Sequence, residues 1–234
     1  MEFCQNIILH KEDFTKNELV IASILGDGYI GKDGVIEIYH SMKQKKYTLW
    51  LMDLYSKYFK VRYRERICKD KKTGKEFKQC GFRVSSTKYT KLMRRIMYHP
   101  QKRVTLKLLN KLTPLGLAIW YMDDGNLSFI KDKSGNLHGR QIRLSTHSFT
   151  YEEHLLIVKY FKENWDIECR IHNEKGKHII WMNGTEGKKF INIIKDYISI
   201  DMYYKMCYRY YGKYSEENLC KMKCCKGNCP YNIV

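Results

Sequence analysis

The stretch Leu117-Ala-Ile-Trp-Tyr-Met-Asp-Asp-Gly125 decides the fold, together with an earlier stretch of the same kind, Val20-Ile-Ala-Ser-Ile-Leu-Gly-Asp-Gly28. Each is an apolar run that stops at an acidic residue followed by glycine. Such a run predicts a buried helix whose C-terminal end presents a carboxylate, because glycine is common just after the last helical turn. The two carboxylates are those of Asp27 and Asp124. An isolated Asp-Gly pair is more often an ordinary turn, but its repetition favours a paired site.

Both runs also carry helix-start signals. Thr15 followed by Glu18 predicts a capping box, and Thr113 followed by Pro114 predicts an N-cap with proline in the first turn. Small residues on both helices would allow close side-by-side packing; these are Ala22, Gly26 and Ala118. Packed in this way, the helices would place their terminal carboxylates together. Two carboxylates held so close together either raise the pKa of one of them or attract a divalent cation, which prefers oxygen ligands.

The composition narrows the class of protein. Hydrophobic residues make up 44% of the 234 residues and aromatic residues 14%, which excludes a disordered chain. The 43 Lys and Arg residues exceed the 25 Asp and Glu residues, giving a net charge of +18. This excess indicates a polyanionic partner, nucleic acid before an anionic membrane surface. Without an apolar run of about 18 residues or a signal-peptide pattern, we expect a soluble intracellular protein, no membrane partner and mostly reduced cysteines.

The two motifs are succeeded by the same order of elements. Asp124 lies 97 positions after Asp27 (124 − 27). After each acid comes a strand-like stretch, a helical pattern ending in Lys-Tyr-Phe, two strands around a turn with glycine, and a closing helix. The sequence therefore predicts an α+β chain of two pseudo-symmetric αββαββα repeats. Their predicted extents are 1–98 and 113–206, with a basic connection at 99–112 and a basic, cysteine-rich tail at 207–234.

These paired motifs resemble those of the LAGLIDADG homing endonucleases, in a single-chain, two-motif form. The second motif, Trp120-Tyr-Met-Asp-Asp-Gly125, is the more specific match; the first has leucine where the family name has its first Asp, and glycine before Asp27. The resemblance covers roughly residues 15–205. It implies two antiparallel sheets that form a DNA-binding saddle beneath motif helices packed at a central seam.

The resemblance also implies roles for individual residues. The last acid of each motif binds the catalytic metal, so Asp27 and Asp124 are the predicted catalytic and metal-binding residues. By similarity, Lys102 and Lys205 lie near the attacked phosphates, with Arg103 as the fallback for the first. Gly26 and Asp123, which precede the two acids, are included in the predicted metal site. Consecutive helical residues point about 100° apart, so we expect Asp123 at the helix end or behind the metal.

Strand alternation predicts which side chains face the nucleic acid. Arg62, Arg64 and Arg66 alternate with less polar residues, and the second repeat shows the same polar alternation. A sheet with a polar, arginine-rich face and an apolar back suits a major groove. The predicted DNA-binding residues are Arg62, Arg64, Arg66, Arg83, Gln141, Arg143, Ser145, His147, Arg170 and His172.

The activity implied is that of a monomeric, Mg²⁺-dependent enzyme that cuts both strands of a long, asymmetric double-stranded DNA site and leaves short 3′ overhangs. The resemblance also implies a role in mobilising the intron or other element that encodes the enzyme. Mn²⁺ is expected to substitute for Mg²⁺, and Ca²⁺ to bind without supporting turnover. Two alternatives stay open: a maturase that binds intron RNA, and a catalytically inactive DNA-binding regulator. Retention of both acids disfavours the regulator, because binding alone does not need two converging carboxylates.

The C-terminal tail contains a separate group of thiols. Four thiolates could form a tetrahedral zinc site, although the spacing Cys-x3-Cys-Cys-x3-Cys is unusual for one. The alternative is a loosely ordered basic tail. The candidate zinc ligands are Cys220, Cys224, Cys225 and Cys229.

Overall fold

The computed structural model describes residues 14–131, 133–134 and 137–206. The first repeat consists of α1 (Lys16–Leu25), β1 (Tyr29–Ile30), β2 (Ile36–Ser41), α2 (Lys45–Ser56), β3 (Val61–Lys69), β4 (Glu76–Val84) and α3 (Lys88–Met97). A short helix, α4 (Leu106–Leu109), lies in the connection. The second repeat consists of α5 (Pro114–Asp124), β5 (Gly125–Lys131), β6 (Leu137–Leu144), α6 (Tyr151–Trp165), β7 (Arg170–Glu174), β8 (Lys177–Met182) and α7 (Gly184–Ile194).

Each repeat forms a four-stranded antiparallel sheet. The strand order is β1-β2-β4-β3 in the first sheet and β5-β6-β8-β7 in the second, so the topology is the same. Helices pack on one side of each sheet, and a shared hydrophobic core contains residues of both repeats. The prediction of two αββαββα repeats with two antiparallel sheets is confirmed.

The motif helices α1 and α5 pack against each other at the seam between the repeats. Every residue of α1 from Glu18 to Leu25 is buried, as is every residue of α5 from Leu115 to Met122. Helices that are apolar on all sides are stable only when other elements surround them. The seam is therefore part of the core, and the two repeats share it.

The capping box predicted for α1 is only half correct. The Thr15 hydroxyl accepts a hydrogen bond from the Glu18 backbone N–H at 3.1 Å, as predicted. The Glu18 carboxylate instead crosses the seam to α5. There Oε1 accepts hydrogen bonds from the N–H groups of Thr113 and Gly116, at 2.8 and 2.9 Å, and from the Thr113 hydroxyl. Glu18 thus satisfies backbone donors that α5 leaves free at its N-terminus.

The last helix of the second repeat is displaced from its predicted position. The sequence predicts a helix at 188–198, whereas α7 begins at Gly184 behind an N-cap at Asn183 and ends at Ile194. The two glycines of its first turn weaken the helical signal. Gly187 lies against the sheet, where an added Cβ would be 3.1 Å from the Ile142 side chain, so the glycine permits close packing.

The candidate zinc ligands Cys220, Cys224, Cys225 and Cys229 lie outside the described residues. No helix in the described ranges is both long and apolar enough to cross a bilayer.

Candidate active site

The C-terminal ends of α1 and α5 bring the two motif acids to the seam. Asp27 follows the end of α1, and its side chain is 48% exposed. Asp124 is the last residue of α5 and is partly buried. Burial, followed by the negative charges of Asp27 and Asp123, raises the pKa of Asp124 to about 7. Burial and then the charge of Asp123 also raise the pKa of Asp27.

The two predicted lysines lie at matching positions beside these helix ends. Lys102 donates hydrogen bonds from Nζ to the carbonyls of Leu25 and Gly26, at 3.2 and 3.0 Å. Lys205 donates to the carbonyls of Met122 and Asp123, the latter at 3.0 Å. Each ammonium group thus lies on the last carbonyls of one motif helix, where the helix dipole favours positive charge.

Burial lowers the pKa of both lysines, while the nearby aspartates oppose this effect. Arg103, the fallback for Lys102, donates instead to the Ile96 carbonyl at 2.8 Å. The structure thus brings Lys102 to the helix end, and the catalytic role of the two lysines stays a prediction.

Asp123 occupies the centre of the seam. Its side chain is 0% exposed, in contrast to Asp27. Oδ1 accepts hydrogen bonds from the Tyr47 hydroxyl at 2.7 Å and from Nε2 of His40 at 3.2 Å. Oδ2 accepts from the Asp27 backbone N–H at 3.2 Å. Gly26, also included in the predicted metal site, has no side chain and its carbonyl accepts from Lys102.

Sequence reasoning missed His40 and Tyr47. His40 is buried at the end of β2, and its Nε2 also lies 3.9 Å from Oδ2 of Asp27. Tyr47 is fully buried in α2. A single histidine before a helix and a tyrosine inside one carry no local pattern that separates them from core residues. Their proximity to Asp123 depends on how α2 packs, which no motif records.

The chemistry of the donor set fits a divalent cation. In the described part of the chain, no group donates a hydrogen bond to the Asp124 carboxylate, and both lysines are directed at carbonyls. The charges of Lys102 and Lys205 only partly offset the burial and mutual repulsion that raise the pKa values of these two carboxylates, and hard oxygen ligands suit Mg²⁺ and Ca²⁺. Asp27 and Asp124 stay the predicted ligands, and ligand atoms of Asp27, His40 and Asp123 lie within 4.8 Å of one another.

The first sheet carries its predicted basic residues on one face. The register pairs Arg62 with Arg83 and Arg66 with Gln79, so these side chains share the face opposite the core. Arg66 donates to Gln79 at 2.9 Å and its guanidinium lies 3.7 Å from the centre of the Tyr39 ring. Arg64 is exposed in the middle of this face.

The second sheet presents a similar polar face, on which more of the side chains contact one another. The register aligns Arg143 with Trp181 and Trp181 with Arg170, and the His172 ring stacks on Trp181 with centroids 4.8 Å apart. Arg143 and His147 both contact Glu174, at 2.7 and 3.1 Å. Gln141 accepts a hydrogen bond from the Trp181 indole.

The last predicted residues of this face lie beyond the strand. β6 ends at Leu144, so Ser145 and His147 come after it, although Ser145 remains exposed and Thr146 buried, as the alternation predicts. The ten predicted DNA-facing residues therefore lie on, or just past, the polar faces of the two sheets.

The sequence and the fold of this chain are similar to those of known DNA endonucleases. A model of the LAGLIDADG DNA endonuclease family matches residues 17–190. The homing endonuclease I-WcaI, solved bound to its DNA recognition sequence, has a similar fold, with a TM-score of 0.70, 21% identity, and coverage of 88% of this chain and 92% of that one.

Similar sequences occur in two kinds of protein. The probable intron-encoded endonuclease 1 of Wickerhamomyces canadensis is 25% identical over 206 residues, which cover 82% of this chain and 84% of that protein. The protein RecA of Mycolicibacterium flavescens is 23% identical over 217 residues, covering 87% of this chain. The matched region spans 49% of that RecA protein, about half its length.

Proposed function

Because the chain belongs to the LAGLIDADG DNA endonuclease family, we propose that it is a site-specific homing endonuclease. In this proposal it acts as a monomer, hydrolyses both strands of a long, asymmetric double-stranded DNA target with Mg²⁺, and leaves short 3′ overhangs. The observation that carries the proposal is the meeting of one acid from each repeat at the ends of α1 and α5, beside two partly buried lysines.

Each residue group would have a defined task. Asp27 and Asp124 would hold the divalent ion, which supplies charge stabilisation at the phosphate and lowers the pKa of bound water. Lys102 and Lys205 fix the ends of the motif helices and add positive charge beside the two acids. The arginines of the sheet faces would neutralise phosphates and contact base edges.

The test is to incubate a randomised or genomic DNA library with the protein and Mg²⁺ at low salt, and to sequence the ends. We expect a defined cut site with short 3′ overhangs, which disappears when EDTA removes the metal. A library without a defined cut site under these conditions would contradict the proposal.

The metal affinity should depend on pH. Because the pKa of Asp124 is about 7, a proton competes with the metal below that value. We expect the apparent Ca²⁺ affinity to fall as the pH drops from 8 to 6, by up to about tenfold for each pH unit below 7 for one displaced proton. Isothermal calorimetry on the DNA-free protein measures this, and Asp124→Asn, which removes one of the two proposed ligands, should bind Ca²⁺ much more weakly at both pH values. An affinity that is unchanged between pH 8 and 6 would contradict the assignment.

Removing an arginine from the sheet face should weaken DNA binding. Arg64→Ala is expected to lower the affinity for the cut site by roughly 10- to 100-fold, because a good base contact contributes about 1–3 kcal/mol. The matched control is Lys159→Ala, which removes the same charge from an exposed position on α6, the helix that packs against the second sheet. Fluorescence anisotropy at fixed salt should show a small change for the control; equal losses would mean that the first sheet does not contact the DNA.

A further inference from the structure

The C-terminal ends of the two motif helices differ, and Asp123 of α5 contacts the backbone that follows α1. Helix α5 continues through Asp124, whereas α1 ends at Leu25. After α1, the Gly26 N–H donates to Ala22 and the Gly28 N–H donates to Ser23 at 2.8 Å. The Asp27 N–H donates instead to Oδ2 of Asp123 at 3.2 Å. The backbone of one motif acid is thus held by the buried carboxylate of the other repeat.

Glycine at position 26 makes this contact possible. A Cβ at Gly26 would be 2.4 Å from Oδ2 of Asp123 and 2.5 Å from its Cβ, closer than atoms can approach. The first motif has glycine where the second has Asp123, so the two positions are complementary across the seam. The carboxylate that fills this space has no freedom to rotate, because three donors hold its two oxygens.

The histidine that supports Asp123 is present in one repeat only. In the first repeat, Nδ1 of His40 lies 3.0 Å from the Thr48 hydroxyl; in the second, the Thr146 hydroxyl lies 2.9 Å from Nε2 of His154. Within each pair the histidine and the threonine are eight residues apart, but the histidine comes first in the first repeat and the threonine comes first in the second. His40 therefore directs its second nitrogen at Asp123, whereas Nδ1 of His154 lies 2.7 Å from the carbonyl of Thr150 in its own repeat.

We propose that Asp123, held in place by His40 and Tyr47, is a positioning residue that orients Asp27 for metal binding. The inference rests on the proposed function, since it assigns the metal to Asp27. Its physical basis is the fixed N–H contact, which sets where the Asp27 side chain leaves the backbone. The side chain of Asp27 is 48% exposed, and its Oδ2 lies 3.9 Å from Nε2 of His40. Because the second repeat lacks this arrangement among its described residues, the two metal-binding acids are supported unequally.

The test compares two buried histidines, of which only His40 contacts Asp123. In His40→Leu the hydrogen-bond donor to Asp123 is lost, whereas His154→Leu removes an equally buried histidine that contacts Thr146 and Thr150. Residues that orient metal ligands typically change metal affinity by about 10- to 100-fold. We expect Mn²⁺ binding to the DNA-free protein, measured by calorimetry, to weaken by roughly tenfold or more in His40→Leu and to stay near the wild-type value in His154→Leu.

Cleavage provides the second readout. The Mg²⁺ concentration for half-maximal cleavage should rise in His40→Leu, and excess Mg²⁺ should restore most of the rate. Tyr47→Phe, which loses its hydroxyl but keeps its ring, should show the same shift to a smaller degree and serves if His40→Leu does not fold. Asp123→Asn, which retains an oxygen acceptor for the Asp27 N–H, should be less impaired than Asp123→Ala.

Three outcomes would overturn the inference, and a fourth would contradict only the proposed function. Equal Mn²⁺ affinities for His40→Leu, Tyr47→Phe and wild type would overturn the inference, as would equal losses in His40→Leu and His154→Leu. Ligand atoms of Asp27, His40 and Asp123 also lie within 4.8 Å of one another. If His40 were itself a ligand, the loss would be far larger for Zn²⁺ than for Mg²⁺, which would also overturn it. A wild type that cuts no DNA, with the difference in Mn²⁺ affinity intact, would contradict the proposed function alone.

Discussion

Asp124→Asn is expected to abolish DNA cleavage while leaving DNA binding nearly unchanged. The rate should fall by about 10³-fold or more, because a bound metal contributes several kcal/mol of charge stabilisation and each ~1.4 kcal/mol is a tenfold change in rate. Asparagine has almost the same shape but no charge to hold the ion. Single-turnover cleavage of the labelled target, with anisotropy for binding, separates the two effects.

The same substitution should stabilise the metal-free protein at pH 8. The pKa of Asp124 is raised from 3.8 to about 7, so the folded state binds the proton more tightly than the unfolded state does. Stability is therefore lost as the pH rises from about 4 to 7, and asparagine removes this loss. We expect a higher Tm than wild type at pH 8 and a smaller difference at pH 5.

Asp166→Asn is the matched control. Asp166 is an exposed acid of the same repeat, with a left-handed backbone that asparagine tolerates well, so cleavage should be unaffected. If Asp124→Asn cleaves as well as this control, the metal assignment is wrong. If it loses cleavage but still binds an intron RNA and accelerates its splicing, the maturase alternative gains support.

Glu18→Ala is expected to destabilise the fold by about 3–4 kcal/mol. The substitution removes a buried acceptor from two N–H groups and one hydroxyl at the start of α5, and each buried donor left unpaired costs about 1–3 kcal/mol. It also leaves a cavity at the seam. Urea denaturation monitored by tryptophan fluorescence gives the free energy of unfolding.

Glu18→Gln is the control for this prediction. Its amide oxygen can still accept at the Oε1 position, and the other carboxylate oxygen, Oε2, is buried without a hydrogen-bond partner among the described residues. We expect a loss below about 1.5 kcal/mol, the net contribution of an ordinary hydrogen bond. Similar losses for alanine and glutamine would mean that charge, not the cap on α5, is what Glu18 supplies.

The sequence predicts the repeats and the acids because their signals are local. Apolar runs that end in Asp-Gly mark the motif helices, and strand alternation correctly assigns Arg62, Arg64 and Arg66 to one face. Lys102 and Lys205 could be proposed only from the family resemblance, since nothing in their own surroundings distinguishes them from other lysines.

The features that sequence reasoning missed depend on tertiary contacts. The spacing of Thr15 and Glu18 fits a capping box, but the Glu18 carboxylate binds the free N–H groups of a neighbouring helix instead. The start of α7 is obscured by glycines that are there to pack against the sheet. His40 and Asp123 are 83 positions apart and meet only when the seam forms.

The central claim is that Asp27 and Asp124 together hold the catalytic metal beneath the DNA. Anomalous diffraction from crystals of the DNA complex grown with Mn²⁺ tests it most directly. We predict anomalous peaks at about 2.0–2.6 Å from carboxylate oxygens of both Asp27 and Asp124, beside the scissile phosphates. The account would be contradicted if the complex still cleaves its DNA but the anomalous peaks lie on other residues and neither acid contacts them.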